Sequence, residues 1–328
     1  MSVPAAATEG IHFHESYDKA FEEANARGVP IMIAVIQDDE EANDDIWLNT
    51  MNAPEFVKAT RRTVNVVGNR GDSDLHGFEE VEEDGKRRRI CGKFGSIACN
   101  SHKKNEVGIF RDFARDGVVK TPMVMMVLPD QTIVRILVDR HPMDSFLDAF
   151  EEAERKLPNG LDEEEAIALR QEIARARASI ESGDVRSVIR FAEPFRDRKT
   201  EAGLVKQALA LLDEVEAVGK KEMQDAESLI AAKDFVEGMS RFDGIVDRYR
   251  GSVIERVAKE RRAKLSKNRA VRTALNQAKK EEAGRRLLEQ ADAYRADGKD
   301  DRAAKLYDRI RDRFADTEAG RELAARGG

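Results

Sequence analysis

The run Ala20-Phe21-Glu22-Glu23-Ala24-Asn25-Ala26-Arg27-Gly28-Val29-Pro30 leads directly into Ile31-Met32-Ile33-Ala34-Val35-Ile36. Tyr17, Ala20, Phe21 and Ala24 recur at helical spacing behind Ser16, whose hydroxyl suits an N-cap. Gly28 provides a left-handed end to that helix, and Pro30 blocks its continuation. The six apolar residues that follow are too short a run for a buried helix and include β-branched side chains, so they read as a core strand. Helix, tight turn and core strand open an α/β domain.

Outward from this unit, an acidic stretch at 37–45 leads to Ile46, Trp47, Leu48 and Met51, spaced for one helical face. Asn52 caps a further helix with Pro54 in its first turn and Phe56 and Val57 inward, and a second strand is expected at 63–67. Residues 68–120 read as a long connection: a charged hinge at 79–89, both cysteines, then a helix containing Val107, Phe110 and Phe113. Thr121-Pro122 opens a strand at 123–128, Pro129-Asp130-Gln131 turns it into a partner at 132–138, and Phe146, Leu147 and Phe150 suit a closing helix. After Pro194 there is no proline, and strand-like runs end near 139, so the remainder is helical.

Composition narrows the function classes. At 328 residues and 41% apolar content the chain is long enough for two domains, each with its own core. The formal charge of -7 argues against a general nucleic-acid binder, which needs a net basic face. No stretch reaches the roughly 18–20 apolar residues of a membrane span, so the chain reads as soluble. Residues 1–10 read as a flexible terminus with no signal-peptide pattern, leaving cytoplasmic residence and a mature exported form both open. Two cysteines are too few for a disulfide scaffold.

The order of elements over 11–157, with an insertion at 68–120, resembles thioredoxin-like domains. The run from Ala20 to Pro30 resembles the segment before their first core strand. Met51-Asn52-Ala53-Pro54-Glu55-Phe56-Val57 is similar to the segment after their active-site helix, and Gly117-Val118-Val119-Lys120-Thr121-Pro122 to the approach to their cis-proline. The resemblance implies a cis Thr121-Pro122 bond and a groove there that takes an extended peptide. The chain departs from the family at 40–43, where Glu40-Glu41-Ala42-Asn43 stands in place of Cys-x-x-C. Carboxylates can neither attack a disulfide nor resolve one, so ordinary thioredoxin chemistry is not expected there.

The sharpest local cluster is Cys91-Gly92-Lys93-Phe94-Gly95-Ser96-Ile97-Ala98-Cys99, with His102 three residues on. Three readings fit: a disulfide, structural or redox-active; a zinc or copper site of Cys91, Cys99 and His102, completed by His12, His14 or His76; or two ordinary cysteines in an insertion. In the redox reading Cys91 and Cys99 are the catalytic pair, Cys99 the better nucleophile beside Lys103, Lys104 and residues 87–89, and His102 the proton acceptor. No cofactor is required otherwise. Asp38, Asp39, Glu40, Glu41, Asp44 and Asp45 fit no calcium loop and read as solvated, and Trp47 reads as core.

Residues 158–328 read as an all-α domain of helical hairpins. Phe242 to Tyr249 and Tyr307 to Phe314 share aromatic, Asp, Ile, Asp-Arg and aromatic positions, and Gly183-Asp184, Lys233-Asp234 and Gly298-Lys299 mark comparable turns. The pattern resembles tetratricopeptide-type hairpins. With no Gly or Pro in 252–283, one long helix is expected between the last two. The functional expectation is a thioredoxin-like protein without the redox motif, binding a protein or peptide through Thr121, Pro122 and the helical half, which also suits a homodimer. The alternatives are a thiol oxidoreductase or redox sensor, and a metal-binding protein.

Overall fold

The computed structural model describes residues 10–71, 76–83, 85–114 and 118–326. It divides into an α/β unit, residues up to 178 with 194–211, and a helical unit, 179–193 with 212 onward. Among the described residues no helix is long and apolar enough to cross a membrane.

In the α/β unit, α1 (Tyr17–Arg27) starts at Ser16, whose side chain accepts from the Lys19 amide, and stops at Gly28 in the left-handed conformation (φ 66°). There β1 (Ile31–Gln37) begins, running parallel to β2 (Val64–Arg70) and antiparallel to β5 (Met123–Val127). β6 (Ile133–Val138) completes the order β2-β1-β5-β6. Strands β1, β2 and β5 are buried on both faces, and residue parity sorts the core. Met32, Ala34 and Ile36 join Val124 and Met126 under α3 (Pro54–Thr60) and α5 (Met143–Lys156), where Phe56, Phe146 and Phe150 fill the layer. Ile31, Ile33 and Val35 join Met123, Met125 and Val127 on the opposite face, against Tyr17, Ala20 and Ala24 of α1 and Ile109 of α4 (Cys99–Phe113).

Several expectations change. The second strand continues to Arg70 rather than ending at Val67. The charged stretch is a hairpin, not a hinge: β3 (Phe78–Glu83) pairs with β4 (Lys86–Cys91) in a separate two-stranded sheet. Its register sets Glu80 opposite Arg89 and Glu82 opposite Arg87, so the density of charge is cross-strand complementarity. On α4, Val107 is exposed, whereas Gly108 faces Tyr17 so closely that a Cβ would stand 2.5 Å from its ring. Between β1 and α3 lie a short helix, α2 (Glu41–Asp45), and a π-helical segment, Ile46–Met51. The Thr121-Pro122 bond is cis.

The α/β unit does not end at 157. The Leu161 amide donates to the Arg27 carbonyl (2.8 Å), Asn159 Nδ2 donates to the Lys199 carbonyl (2.9 Å), and a Cβ on Gly28 would meet the Ala202 backbone at 2.6 Å. These contacts draw the start of α6 (Glu163–Ser182) and residues 194–211 into it.

The helical unit holds α7 (Val185–Ala192), most of α8 (Gly203–Ala231), α9 (Phe235–Arg248), α10 (Val253–Leu265), α11 (Arg269–Ala296), α12 (Asp300–Arg313) and α13 (Glu318–Arg326). The turns at 183–184, 233–234 and 298–299 are the same structure three times. Gly183, Lys233 and Gly298 take φ of 79°, 68° and 70°. The next residue's amide donates five positions back each time: Asp184 to Ser179 (2.8 Å), Asp234 to Leu229 (2.9 Å) and Lys299 to Tyr294 (2.8 Å). This is a Schellman closure that satisfies the carbonyls at the helix end. Asp184 and Asp234 then cap the next helix through the Ser187 and Glu237 amides. Replacing Asp234 with Ala removes that cap and is expected to cost about 1 kcal/mol in urea unfolding. Behind the turns, Phe242, Ile245 and Tyr249 of the second hairpin and Ile310 of the third are buried, with Tyr307 and Phe314 partly so. The long helix expected across 252–283 is broken between α10 and α11, because Asn268 leaves the helical conformation and caps α11 through the Ala270 amide (2.9 Å).

Candidate metal centre

Three segments of the insertion converge at one point. The loop after β4 folds back on itself: the Gly95 amide donates to the Cys91 carbonyl (2.8 Å), and the Cys91 amide to the Ile97 carbonyl (2.7 Å). Gly95, at φ 67°, makes the reversal without strain. Phe94 and Ile97 anchor the loop in the core beside Cys91. The reversal returns the chain to Cys99, the first residue of α4, where His102 stands one turn on and shares its face. The third segment precedes β3. The Gly92 amide donates to the Gly77 carbonyl (3.3 Å), which sets His76 beside Cys91, and a Cβ on Gly92 would lie 2.5 Å from the His76 carbonyl oxygen.

One ligand atom from each of His76, Cys91, Cys99 and His102 lies within 4.8 Å of all the others. His76 Nδ1 is 3.2 Å from Cys91 Sγ. Around tetrahedral zinc, with bonds of about 2.0–2.3 Å, neighbouring donors stand roughly 3.3–3.8 Å apart. The cluster therefore reaches that geometry by small side-chain adjustments. Cys91 and His102 are fully buried, and both cysteines are thiols with no disulfide between them.

Two observations distinguish the cluster from ordinary core. Both ring nitrogens of His102 are buried without a hydrogen-bond partner. An unmet buried polar group costs about 1–3 kcal/mol, and a metal bond to one nitrogen relieves part of that cost. Burial, reinforced by the adjacent His76, pushes the His102 pKa down to about 4, so at neutral pH its imidazole is uncharged, the form that ligates. The second observation is an outer layer. His76 Nε2 pairs with Asp38 Oδ2 (2.8 Å), Asn69 Nδ2 donates to the same oxygen (2.6 Å), and Lys93 Nζ donates to Asp38 Oδ1 (2.6 Å). Burial alone would raise the Asp38 carboxyl, but the hydrogen bonds from Lys93, His76 and Asn69 and the Lys93 charge hold it below the usual carboxylate range. Rings close one side: Phe94 lies 5.0 Å from His102 and 5.6 Å from His76. Because Asp38 follows β1 and Asn69 lies at the end of β2, the cluster is tied to the carboxyl ends of two parallel strands. Ligand sites in open α/β sheets favour that position.

Of the residues singled out in the sequence, Cys91, Cys99 and His102 meet, and His76 is the member of the three candidate histidines that joins them. His12 instead pairs with Glu163 (2.7 Å), and His14 Nδ1 accepts from the Ser16 amide (3.3 Å). Lys103 and Lys104 are exposed. The acidic stretch is solvated except at its first member: the Asp38 side chain is 7% exposed and belongs to the outer layer. Asp38, Asn69 and Lys93 were not singled out for this role, because their partners lie 31–55 positions away. Thr121 and Pro122 lie outside the cluster, and the Pro122 carbonyl accepts from the Asp139 amide (3.0 Å). Trp47 packs against the core beside Phe13 and Phe94. The chain matches no protein-family model, and no curated protein is significantly similar to it.

Proposed function

We propose that the chain is a zinc-binding protein whose α/β unit holds one ion through His76, Cys91, Cys99 and His102. The observation that carries this reading is the convergence of two thiols and two imidazoles from three chain segments, one of them a buried histidine with both nitrogens unsatisfied. Two thiolates balance a divalent ion, so the centre can be buried without net charge. Two sulfur and two nitrogen donors in a tetrahedron suit zinc, and four protein ligands leave no position for a reacting water. The ion is therefore structural, fastening the base of the β3–β4 hairpin to the start of α4, with the His76–Asp38 contact tying both to the end of β1. Copper is the competing cargo, and a Cys91–Cys99 disulfide would exclude either metal because it removes two donors.

Metal analysis of protein purified under reducing conditions is expected to find one zinc per chain, and none in Cys91→Ser/Cys99→Ser. Bound copper in place of zinc would make this a copper carrier. A metal-free chain that takes up no zinc, with a two-dalton mass change on oxidation, would return the pair to redox chemistry.

The strand order β2-β1-β5-β6, with helices on both faces, supports a thioredoxin-like reading of the α/β unit. The threefold turn in the helical unit supports a hairpin array of tetratricopeptide type that serves a protein partner.

A further inference from the structure

We infer that Asp38 is the positioning residue of this centre: it fixes which nitrogen of His76 faces the metal. The inference rests on the zinc reading above. Histidine has two ring nitrogens, and the one that ligates is set by the hydrogen bond the other makes. His76 has Nδ1 beside Cys91 Sγ at 3.2 Å and Nε2 against Asp38 Oδ2 at 2.8 Å. The carboxylate can only accept, so Nε2 carries the proton and Nδ1 presents its lone pair to the cluster.

Asp38 is itself held on both oxygens. Lys93 occupies Oδ1 and the Asn69 amide shares Oδ2 with His76, so the carboxylate cannot rotate away without losing several partners. The backbone is fitted to the same group: a Cβ on Gly71 would stand 2.1 Å from Asp38 Oδ2, so only glycine leaves room for the carboxylate. Charge is also closed locally. The Lys93 ammonium balances Asp38, so the outer layer adds no net charge to the neutral zinc centre. The first residue after β1 thus acts on the metal through His76, where the resembled family carries redox sulfur a few positions further on.

Long-range proton–nitrogen NMR of the zinc-loaded parent, labelled with nitrogen-15, is expected to show His76 bound through Nδ1 with Nε2 protonated. Asp38→Asn keeps the shape but lowers the basicity of the acceptor. Its zinc affinity, measured by competition with a chromophoric chelator, is expected to fall by about 10–100-fold. The metal-free variant is expected to melt below the metal-free parent, because the Lys93 ammonium loses its partner. The two affinities are therefore compared at a temperature where both metal-free proteins are fully folded, which separates positioning from general destabilisation. Ligation through Nε2 in the parent, or an Asp38→Asn variant that binds as tightly as the parent, overturns the inference while leaving the zinc reading intact. A parent chain that binds no zinc overturns both. The nitrogen assignment needs no variant, so the inference stays open to refutation even if Asp38→Asn does not fold.

Discussion

With the proposed zinc bound at the cluster, its removal by a chelator is expected to lower the thermal midpoint of the α/β unit by roughly 8–16 °C. A ligand that binds only the folded state at a thousandfold excess over its Kd stabilises that state by about 4 kcal/mol. For a unit of this size each kcal/mol moves the midpoint by about 2–4 °C. The effect should concentrate in the insertion. Among the described residues the β3–β4 hairpin pairs only with itself, and a lone two-stranded hairpin is marginal in water. Its attachments near the cluster are the buried Cys91 and the loop anchored by Phe94 and Ile97. Calorimetry with and without chelator measures the shift, and circular dichroism should show the helical content largely kept. An unchanged midpoint after verified loss of zinc would mean that the ion contributes nothing to the fold.

Phe56→Ala is expected to destabilise the α/β unit by about 3–5 kcal/mol, the usual cost of emptying a buried aromatic site. Phe56 is fully buried on α3 and meets two rings of α5 edge-on, Phe146 at 5.7 Å and Phe150 at 5.3 Å. These contacts join the helix after β1 to the helix that closes the domain, so truncation empties the centre of one whole layer. Urea unfolding followed by Trp47 fluorescence reads the loss. A cost below about 1 kcal/mol would place the ring outside a packed core.

Local signals made much of the fold readable. The Ser16 cap, Gly28 and Pro30 mark a helix end, and the uninterrupted apolar run after them marks a strand covered on both sides; each depends on neighbours within a few positions. The hairpin at 78–91 was hidden because its face is made of charge: Glu opposite Arg stabilises a ribbon, yet in a linear reading the same residues resemble a solvated loop. The break at Asn268 was missed for a related reason, since an asparagine side chain can end a helix where no glycine or proline stands. At the candidate metal centre, the C-x7-C-x2-H spacing exposed three candidate ligands because a loop and one helical turn set it locally. His76 was only one candidate of three, and Asp38 was invisible in its role, because strand pairing rather than sequence distance brings them together.

The three identical turns of the helical unit carry one more consequence. Each corner is complete within about nine residues: the carbonyl that closes it, the left-handed position and the capping residue all fall between 179 and 187 in the first, 229 and 237 in the second, and the last repeats the closure at 294–299. Nothing in the corner refers to the far ends of the arms it joins, and those arms range from the 8 residues of α7 to the 29 of α8. Corner and reach are therefore separate variables, and the unit can lengthen or shorten an arm by whole turns while every bend keeps its form.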